Sequence, residues 1–360
     1  MNPDEQMTTQ QPLRKFSGLA FVAVWLVGLA ACSSNGDGGD AATGGSSGSG
    51  NAAGSSSAGT STAGKGNAGS GTDTFPDQIV GTFQVQGLED EKDDTAGITK
   101  VVGAVGDGPI PSNVVWTTTK QEGDCKLETP RAPFCADGCG SDVCVADDRC
   151  QAYPTSHSVG DVVLSGVNLS TGGATLTLKE IAKNYQPPAG TTFAYPAFAA
   201  GDEIKVQASG GDYEAFDLSA KGVDPLHVTT TDFELDTGKA FELTWDAAED
   251  PKASQVYIKL DISHHGGIRG MIECTTDDTG SLTLSADMMS ELIGLGVAGY
   301  PSVVLMRQSL DTTQIQPGLV RLEVSSRAER YVTIKGVESC TTDEDCPSGK
   351  TCRTTDSTCQ

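Results

Sequence analysis

Eleven cysteines constrain the fold of this 360-residue chain more than any other feature. Five of them lie within residues 125–150 and four within residues 340–359, whereas Cys32 and Cys274 stand alone. Such a density is unusual in a reducing cytosol and indicates an oxidising compartment, in which thiols pair as disulfides. We therefore expect an exported protein whose loops are cross-linked.

The number of cysteines in each segment predicts part of the pairing. The first segment holds an odd number, so one of its members should pair with Cys274, while the C-terminal segment holds an even number and can pair within itself. Apart from Cys32, the ten cysteines permit five disulfides, and the sequence leaves their other connections open. These ten are Cys125, Cys135, Cys139, Cys144, Cys150, Cys274, Cys340, Cys346, Cys352 and Cys359.

Between the cysteine-rich segments, apolar residues alternate with polar ones in many short runs. Phe241, Leu243 and Trp245 alternate with polar neighbours, as do the apolar residues of 256–262, 204–206, 320–324 and 332–334. Gly, Asp and Pro turns separate the runs, as at 209–212 and 236–238. Alternation with period two between turn signals is typical of half-buried antiparallel strands. The sequence therefore predicts an all-β fold with one or two antiparallel sandwiches.

One helix interrupts this pattern. Ser285 is a suitable N-cap for a helix over residues 286–295, and Gly296 follows its end.

The N-terminus has the pattern of an export signal. Arg14 and Lys15 precede an apolar run over residues 16–31. Sixteen residues are too few to cross a bilayer, which takes about 20 helical residues. The run is therefore interpreted as the apolar region of a signal peptide.

The run ends in Leu29-Ala30-Ala31-Cys32, which resembles the lipobox of bacterial lipoproteins. The resemblance implies cleavage before Cys32, acylation of Cys32 and insertion of its acyl chains into a lipid membrane. Because Ser33 rather than Asp follows, it also implies export to the outer membrane, with the body lipid-anchored and exposed at the surface. The alternative is an ordinary signal peptide with a cysteine just beyond its cleavage site.

A tract of Gly, Ser, Ala, Thr and Asn follows over residues 33–72. It has almost nothing to bury, so we expect a disordered tether that spans roughly 35 Å root-mean-square. The predicted organisation is a signal peptide at 1–31, lipidated Cys32 and linker at 32–72, a sandwich body at 73–338 and a disulfide-rich module at 339–360. The body carries a cysteine-rich insert at 125–150.

The C-terminal module, from Cys340 through Cys346-Pro-Ser-Gly-Lys-Thr-Cys352, resembles half of the pattern of whey-acidic-protein and Dickkopf-like disulfide modules. It has four cysteines where the whey-acidic module has eight, so protease inhibition is not carried over. The whole layout is similar to the cysteine-rich outer-membrane lipoproteins of gliding, multicellular Gram-negative bacteria.

Two Asp-Thr-Gly sequences raise the alternative of a secreted hydrolase. Asp278-Thr279-Gly280-Ser281 looks like the active-site loop of aspartic proteases, in which two carboxylates share a proton, and Asp236-Thr237-Gly238 is a second copy. The copies lie too close for two lobes, Lys239 replaces a hydroxyl residue, and the three residues before Asp278 are not apolar. Because Asp-Thr-Gly is also an ordinary turn, no catalytic residue is assigned.

Three groups of residues were weighed as metal sites. The spacing of Cys135, Cys139, Cys144 and Cys150, with His157 nearby, suits zinc, but disulfides are favoured in an exported protein. His264 and His265, with Glu273, Asp277 and Asp278 a few residues on, are interpreted as part of a solvated turn. The alternative is a metal site, which would be the metal-dependent version of the hydrolase. The acidic run over residues 89–94 is interpreted as a charged loop, with Ca²⁺ binding as the alternative. No metal or other cofactor is assigned.

The charge balance limits the partners. With 24 Lys and Arg against 48 Asp and Glu, the net charge is −24, which argues against nucleic acid. We therefore expect a non-enzymatic, surface-tethered envelope or matrix protein, structural or binding a polysaccharide or an envelope protein. Candidate aromatic faces for a sugar are Trp116, Tyr195 and Tyr300, whereas Trp245 fits the core better.

Overall fold

The computed structural model describes residues 74–90 and 93–360, and the side chains of residues 93–95 are not described. The expected signal peptide, lipidated Cys32 and linker lie outside these residues. Everything described below lies in one compact unit, within residues 67–360.

Nearly all of the regular secondary structure of the described chain is strand, so the predicted all-β class is confirmed. The strands are β1 Phe75–Asp90, β2 Asp93–Val105, β3 Val115–Glu122, β4 Cys125–Arg131, β5 Val143–Ala146, β6 Arg149–Gln151, β7 Val162–Ser165, β8 Thr175–Ile181, β9 Asn184–Gln186, β10 Glu203–Ala208, β11 Phe216–Lys221, β12 Glu234–Leu235, β13 Phe241–Thr244, β14 Gln255–Asp261, β15 Met271–Asp277, β16 Ser281–Leu284, β17 Ser302–Gln314, β18 Gly318–Tyr331, β19 Thr333–Ile334, β20 Cys352–Arg353 and β21 Thr358–Cys359. One α-helix, α1 Ala286–Gly294, and a 3₁₀ turn, Asp343–Asp345, complete the elements.

One continuous sheet of 13 strands organises the molecule, in the order β11-β10-β7-β8-β9-β2-β1-β18-β17-β14-β15-β4-β3. Neighbouring strands in this sheet are antiparallel except β1 and β18, which run parallel with Phe83 opposite Leu322. The sheet bends over on itself, because β11 contacts β17 and β18. In that contact Asp311 Oδ2 accepts a hydrogen bond of 2.7 Å from the backbone N–H of Ser219.

Two hydrophobic cores lie on this sheet, and the long strand β18 contributes to both. The first core packs the inward residues of β1, β2 and β18 against those of β7, β8, β10 and β11. The second packs β4, β14, β15 and the start of β17 against α1, β13 and β16. Along β18 the apolar residues Val320, Leu322 and Val324 serve the first core and Ala328 serves the second. The sequence left open whether the body has one sandwich or two. The structure has two cores on a single sheet.

The helix lies close to its predicted position. Ser285 is the N-cap and its hydroxyl accepts a hydrogen bond from the Met288 backbone N–H, satisfying a donor that the first helical turn leaves unpaired. Met288, Met289 and Leu292 are the buried residues of the helix and belong to the second core.

All ten described cysteines form disulfides. The Cys125–Cys274 bridge joins directly opposite residues of β4 and β15, which confirms the predicted link between the first segment and Cys274. The other four bridges are local: Cys135–Cys144, Cys139–Cys150, Cys340–Cys352 and Cys346–Cys359. Cys125 thus belongs to the main sheet, and only the rest of the cysteine-rich insert forms a separate hairpin, β5–β6.

The C-terminal module is held against the second half of the body by backbone hydrogen bonds. The Cys359 N–H donates to Glu338 O and the Gly299 N–H donates to Asp356 O. Cys340 and Cys359 are buried, so the two disulfides form the interior of a segment with few apolar side chains.

Candidate functional site

A cleft of about 1140 Å³ opens beside the first core, and we call it the His157 cleft. Its lining comes from the start of β1, the end of β2, the β5–β6 hairpin, the segment before β7 and the β8–β9, β10–β11 and β17–β18 connections. The lining residues are Phe75, Asp107, Gly108, Asp142, Arg149, Cys150, Gln151, Ala152, Tyr153, Pro154, Thr155, His157, Lys183, Asp212, Tyr213, Glu214, Gln316 and Pro317.

The β5–β6 hairpin forms one wall of the cleft. It has little apolar surface to bury, and the disulfides Cys135–Cys144 and Cys139–Cys150 hold it instead. Gln151 fixes the hairpin to the body, because its side-chain amide donates a 2.7 Å hydrogen bond to Pro109 O. The wall is therefore cross-linked, and Tyr153 follows it with 54% of its surface exposed.

His157 lies in the cleft between two carboxylates. Its Nδ1 is 3.2 Å from Asp212 Oδ2 and its Nε2 is 3.6 Å from Asp107 Oδ2. The His157 backbone N–H donates to Val105 O at the end of β2, which fixes the position of the ring's segment. Tyr213 flanks the imidazole, with the two ring centroids 5.1 Å apart.

Asp212 is the centre of the polar network. Its Oδ2 accepts hydrogen bonds from Lys183 Nζ at 2.8 Å and from the Ser158 N–H at 3.0 Å. These donors, Lys183 first, together with His157, lower the pKa of Asp212 to about 2. The same hydrogen bond raises the pKa of Lys183. Both groups are therefore charged at neutral pH.

Tyr213 stays protonated. Burial, reinforced by the charges of Asp107 and Asp212, raises its pKa to about 12. Its hydroxyl donates to Gly106 O over 3.4 Å, so its aromatic face lies beside the polar groups of the cleft.

The buried side chain of Tyr185 holds the backbone of the segment that follows His157. The Tyr185 hydroxyl accepts a 2.7 Å hydrogen bond from the Val159 N–H and donates to Glu180 Oε2 at 3.2 Å. The Ser158 hydroxyl also donates to Glu180, at 2.5 Å. The segment that carries His157 is therefore held by Val105 before the ring and by Tyr185 and Glu180 after it.

The cleft brings charged, amide and aromatic side chains together around His157. Both ring nitrogens of His157 face carboxylates, and within the described residues no hydroxyl or thiol is hydrogen-bonded to either nitrogen. Cys150 is oxidised. Phe75, Tyr153 and Tyr213 add aromatic surface among carboxylates, an amide and two cationic side chains.

The two Asp-Thr-Gly aspartates lie in different surroundings. Asp278 is fully buried, and it accepts hydrogen bonds from Arg307 Nε at 2.5 Å, Trp245 Nε1 at 2.8 Å and Ser254 Oγ at 2.8 Å. Burial alone would raise the pKa of Asp278, but these hydrogen bonds and the charge of Arg307 outweigh it and lower the pKa.

Asp236 forms surface ion pairs with Lys239 and Lys335, whereas the ion-pair partner of Asp278 is Arg307. A protease dyad needs two carboxylates that share one proton, and these two each hold their own cations. The geometry gives Asp278 a structural position.

The residues weighed as a histidine metal site are spread along one hairpin. His264 and His265 lie in the loop between β14 and β15, whereas Asp277 pairs with Gln255 at the opposite end of the same two strands. The carboxylate partner of His264 is Glu329, 3.9 Å away. Burial and the neighbouring His265 lower the pKa of His264.

Within residues 74–90 and 93–360, the groups of three potential metal ligands that come together consist of cysteines alone. They are Cys135, Cys139 and Cys150, and Cys340, Cys346 and Cys359. All six are disulfide-bonded, so their sulfurs are not thiolate ligands for zinc.

Part of the acidic run lies outside the described residues. Glu89 forms an ion pair with Arg330, and Asp90 pairs with Asp93 in the β1–β2 ladder. Residues 91 and 92, and the side chains of Asp93 and Asp94, are not described, so the Ca²⁺ alternative for this run falls partly outside the structure.

The four aromatic residues considered for sugar stacking do not meet. Trp245 is buried in the second core, as expected, and Trp116 lies on β3 at the edge of the sheet. Tyr195 lines a cavity of only about 10 Å³ near Gly87.

Tyr300 lines a second cavity, of about 600 Å³, where the body meets the C-terminal module. This groove is mostly apolar, with Val297, Pro301, Tyr331 and Pro347 among its lining residues.

Sequence reasoning missed the His157 cleft. It considered His157 only as a companion of the cysteine cluster, and it did not single out Asp107, Lys183, Asp212 or Tyr213. The available signal was weak: Asp212 and Tyr213 follow the Gly210-Gly211 turn, and Lys183 has a positive φ of 61° in a tight β8–β9 turn. Polar residues in such turns are ordinary unless the fold is known to bring them together.

No family model matches the chain, and the search of curated proteins gives no match. Among the described residues no helix is both long and apolar enough to cross a bilayer.

Proposed function

We propose that this protein is a lipid-anchored, non-enzymatic component of the bacterial outer membrane, exposed at the cell surface, that binds a polysaccharide in the His157 cleft. The anchor rests on the lipobox ending at Cys32 and the tether on residues 33–72. The observation that carries the binding role is the cleft itself, which combines aromatic surface with fixed hydrogen-bonding groups in about 1140 Å³.

The chemistry of the lining fits a sugar. A sugar ring offers an apolar C–H face and a rim of hydroxyls, and binding sites of this kind combine a largely preformed cavity with a few placed polar groups. Tyr153, Tyr213 and Phe75 supply flat surface, and Asp107, Asp212 and the Gln316 side chain supply hydrogen-bonding groups. Tyr and Trp side chains give such surface at low conformational-entropy cost.

The side chains and backbone that line the cleft are also pre-ordered by contacts within the protein. Asp212 is held by three donors, Tyr185 supports the backbone of Ser158 and Val159, and disulfides fix the β5–β6 wall. Pre-ordered side chains lose less entropy on binding, so they favour a recognition role.

The alternative of a secreted hydrolase has less support. Its strongest motif centred on Asp278, whose two oxygens are occupied by Arg307, Trp245 and Ser254 in the interior. Asp236 is paired with Lys239 and Lys335, and His264 lies beside Glu329, so neither is paired with Asp278.

The test measures binding of the full-length protein, in detergent micelles, to soluble envelope and matrix polysaccharides. Tyr153→Ala removes an exposed aromatic face of the cleft without disturbing a core, and we expect it to weaken binding about tenfold, or about 1.4 kcal/mol. Tyr331→Ala is the matched control, since Tyr331 is 64% exposed and lines the other cavity.

Saturable binding that Tyr153→Ala weakens and Tyr331→Ala leaves unchanged supports the proposal. Absence of binding to every polysaccharide tested, or loss of binding only with Tyr331→Ala, contradicts it.

A further inference from the structure

From the charges of the same cleft we infer that its ligand is a cationic polysaccharide, one built of amino sugars with free ammonium groups. This inference rests on the proposed function and specifies its substrate class.

Four carboxylates and two permanently cationic side chains line the cleft: Asp107, Asp142, Asp212, Glu214, Arg149 and Lys183. Lys183 and Asp212 neutralise each other across 2.8 Å. The remaining charges are three carboxylates against Arg149, so the lining of the cleft is predominantly negative.

Two of these carboxylates are held so that one oxygen is available to a ligand. Asp107 Oδ1 accepts a 2.7 Å hydrogen bond from the Thr155 N–H, and its Oδ2 faces the cleft group His157. Glu214 Oε1 accepts a 3.1 Å hydrogen bond from the Gln316 N–H. Backbone donors therefore orient both groups and leave a second oxygen for an ammonium N–H, which makes a stronger hydrogen bond with a carboxylate than a hydroxyl does.

The net charge of the whole protein also favours a cationic ligand. Its net charge is −24, so its field attracts polycations and repels acidic polymers such as uronic-acid polysaccharides. The aromatic rings of Phe75, Tyr153 and Tyr213 favour a sugar over a flexible cationic peptide, because they offer stacking surface to a pyranose face and also attract a neighbouring cation.

The experiment compares four soluble probes of similar length on the full-length protein in micelles: hexamers of glucosamine, N-acetylglucosamine, glucose and lysine. We expect the glucosamine hexamer to bind at least about tenfold more tightly than the N-acetylglucosamine hexamer at low salt. We expect added salt to weaken only the binding of charged probes.

The variant Asp107→Asn with Glu214→Gln keeps the shape and the acceptors for Thr155 and Gln316 but removes two charges. It should weaken the binding of the glucosamine hexamer much more than that of the N-acetylglucosamine hexamer, and so remove most of the preference for glucosamine. Glu242→Gln is the matched control, because Glu242 is an exposed carboxylate on β13, away from the cleft lining.

The outcomes separate this inference from the proposed function. Equal affinity for the glucosamine and N-acetylglucosamine hexamers overturns the inference while the proposed function stands. Tightest binding of the lysine hexamer, insensitive to Tyr153→Ala, overturns the inference in favour of a cationic peptide. If none of the three sugar hexamers binds, both the inference and the proposed function are contradicted.

Discussion

Arg307 and Asp278 form an ion pair in the interior, with side chains that are 2% and 0% exposed. Arg307 also donates to the backbone oxygens of Pro225 at 2.9 Å and Asp246 at 2.5 Å. In the β17–β18 register it lies opposite Ser326, between residues of the two cores. The pair thus ties three loops to the central strand β17.

We predict that Asp278→Asn destabilises the protein while Asp236→Asn does not. Loss of the carboxylate leaves the Arg307 charge buried without its partner, and breaking one side of a buried pair costs about 3–5 kcal/mol. Asp236 bonds only to surface lysines, so its variant should keep the wild-type urea midpoint. Equal midpoints for wild type and Asp278→Asn would contradict the structural role.

The lowered pKa of Asp278 also predicts a dependence of stability on pH. Because its folded-state pKa lies below the ordinary value of 3.8, its contribution is fully present above about pH 4 and is lost as the pH falls through the folded-state pKa. The free energy of unfolding of wild type should therefore fall more steeply below pH 4 than that of Asp278→Asn. Urea titrations between pH 7 and pH 2.5 measure this, and parallel curves would be inconsistent with the ionised pair.

The disulfides should differ in their contribution to stability. The Cys125–Cys274 bridge spans a sequence separation of 149 residues and Cys135–Cys144 spans 9. The chain-entropy relation assigns them about 5 and about 2.5 kcal/mol, respectively. Replacing each pair by alanines and measuring urea unfolding checks the order. A larger loss for the short bridge would argue against the pairing, and alkylation of any cysteine in the native folded body would also do so.

The sequence was sufficient to predict the strands because the apolar residues alternate locally. Val256, Ile258 and Leu260 lie on one face of β14, as the alternation requires. The parallel pairing of β1 with β18 was not predictable in this way, because more than 200 residues separate the strands and period two carries no information about partners.

The role of Asp278 illustrates a second limit. Its short motif matched that of a catalytic loop, but its partner Arg307 lies 29 residues later, within the otherwise apolar start of β17. An arginine within an apolar strand indicates a buried cation. Only the fold shows which carboxylate forms an ion pair with it.

The candidate site was the least predictable feature. His157 and Asp212 are 55 residues apart and Asp107 lies on a third segment, so no local spacing joins them. By contrast, the link from the first cysteine segment to Cys274 followed from counting, because an odd set of oxidised thiols needs one outside partner.

The proposed anchor predicts that Cys32→Ser moves the protein from the membrane fraction to the soluble fraction. The serine hydroxyl cannot take the thioether-linked lipid, and several acyl chains are what makes such anchoring long-lived. Ser33→Ala is the control and should remain with the membrane. Retention of Cys32→Ser in the membrane pellet would contradict lipid anchoring.

The most direct test of the central claim is hydrogen–deuterium exchange of the full-length protein in micelles, with and without the tightest-binding of the glucosamine, N-acetylglucosamine and glucose hexamers. A ligand in the His157 cleft should slow exchange of backbone amides in residues 149–157 and 211–214. Tyr153→Ala should reduce that protection at the same ligand concentration. Protection confined to residues 297–301 and 331–347, around the second cavity, or no protection anywhere, would contradict the account.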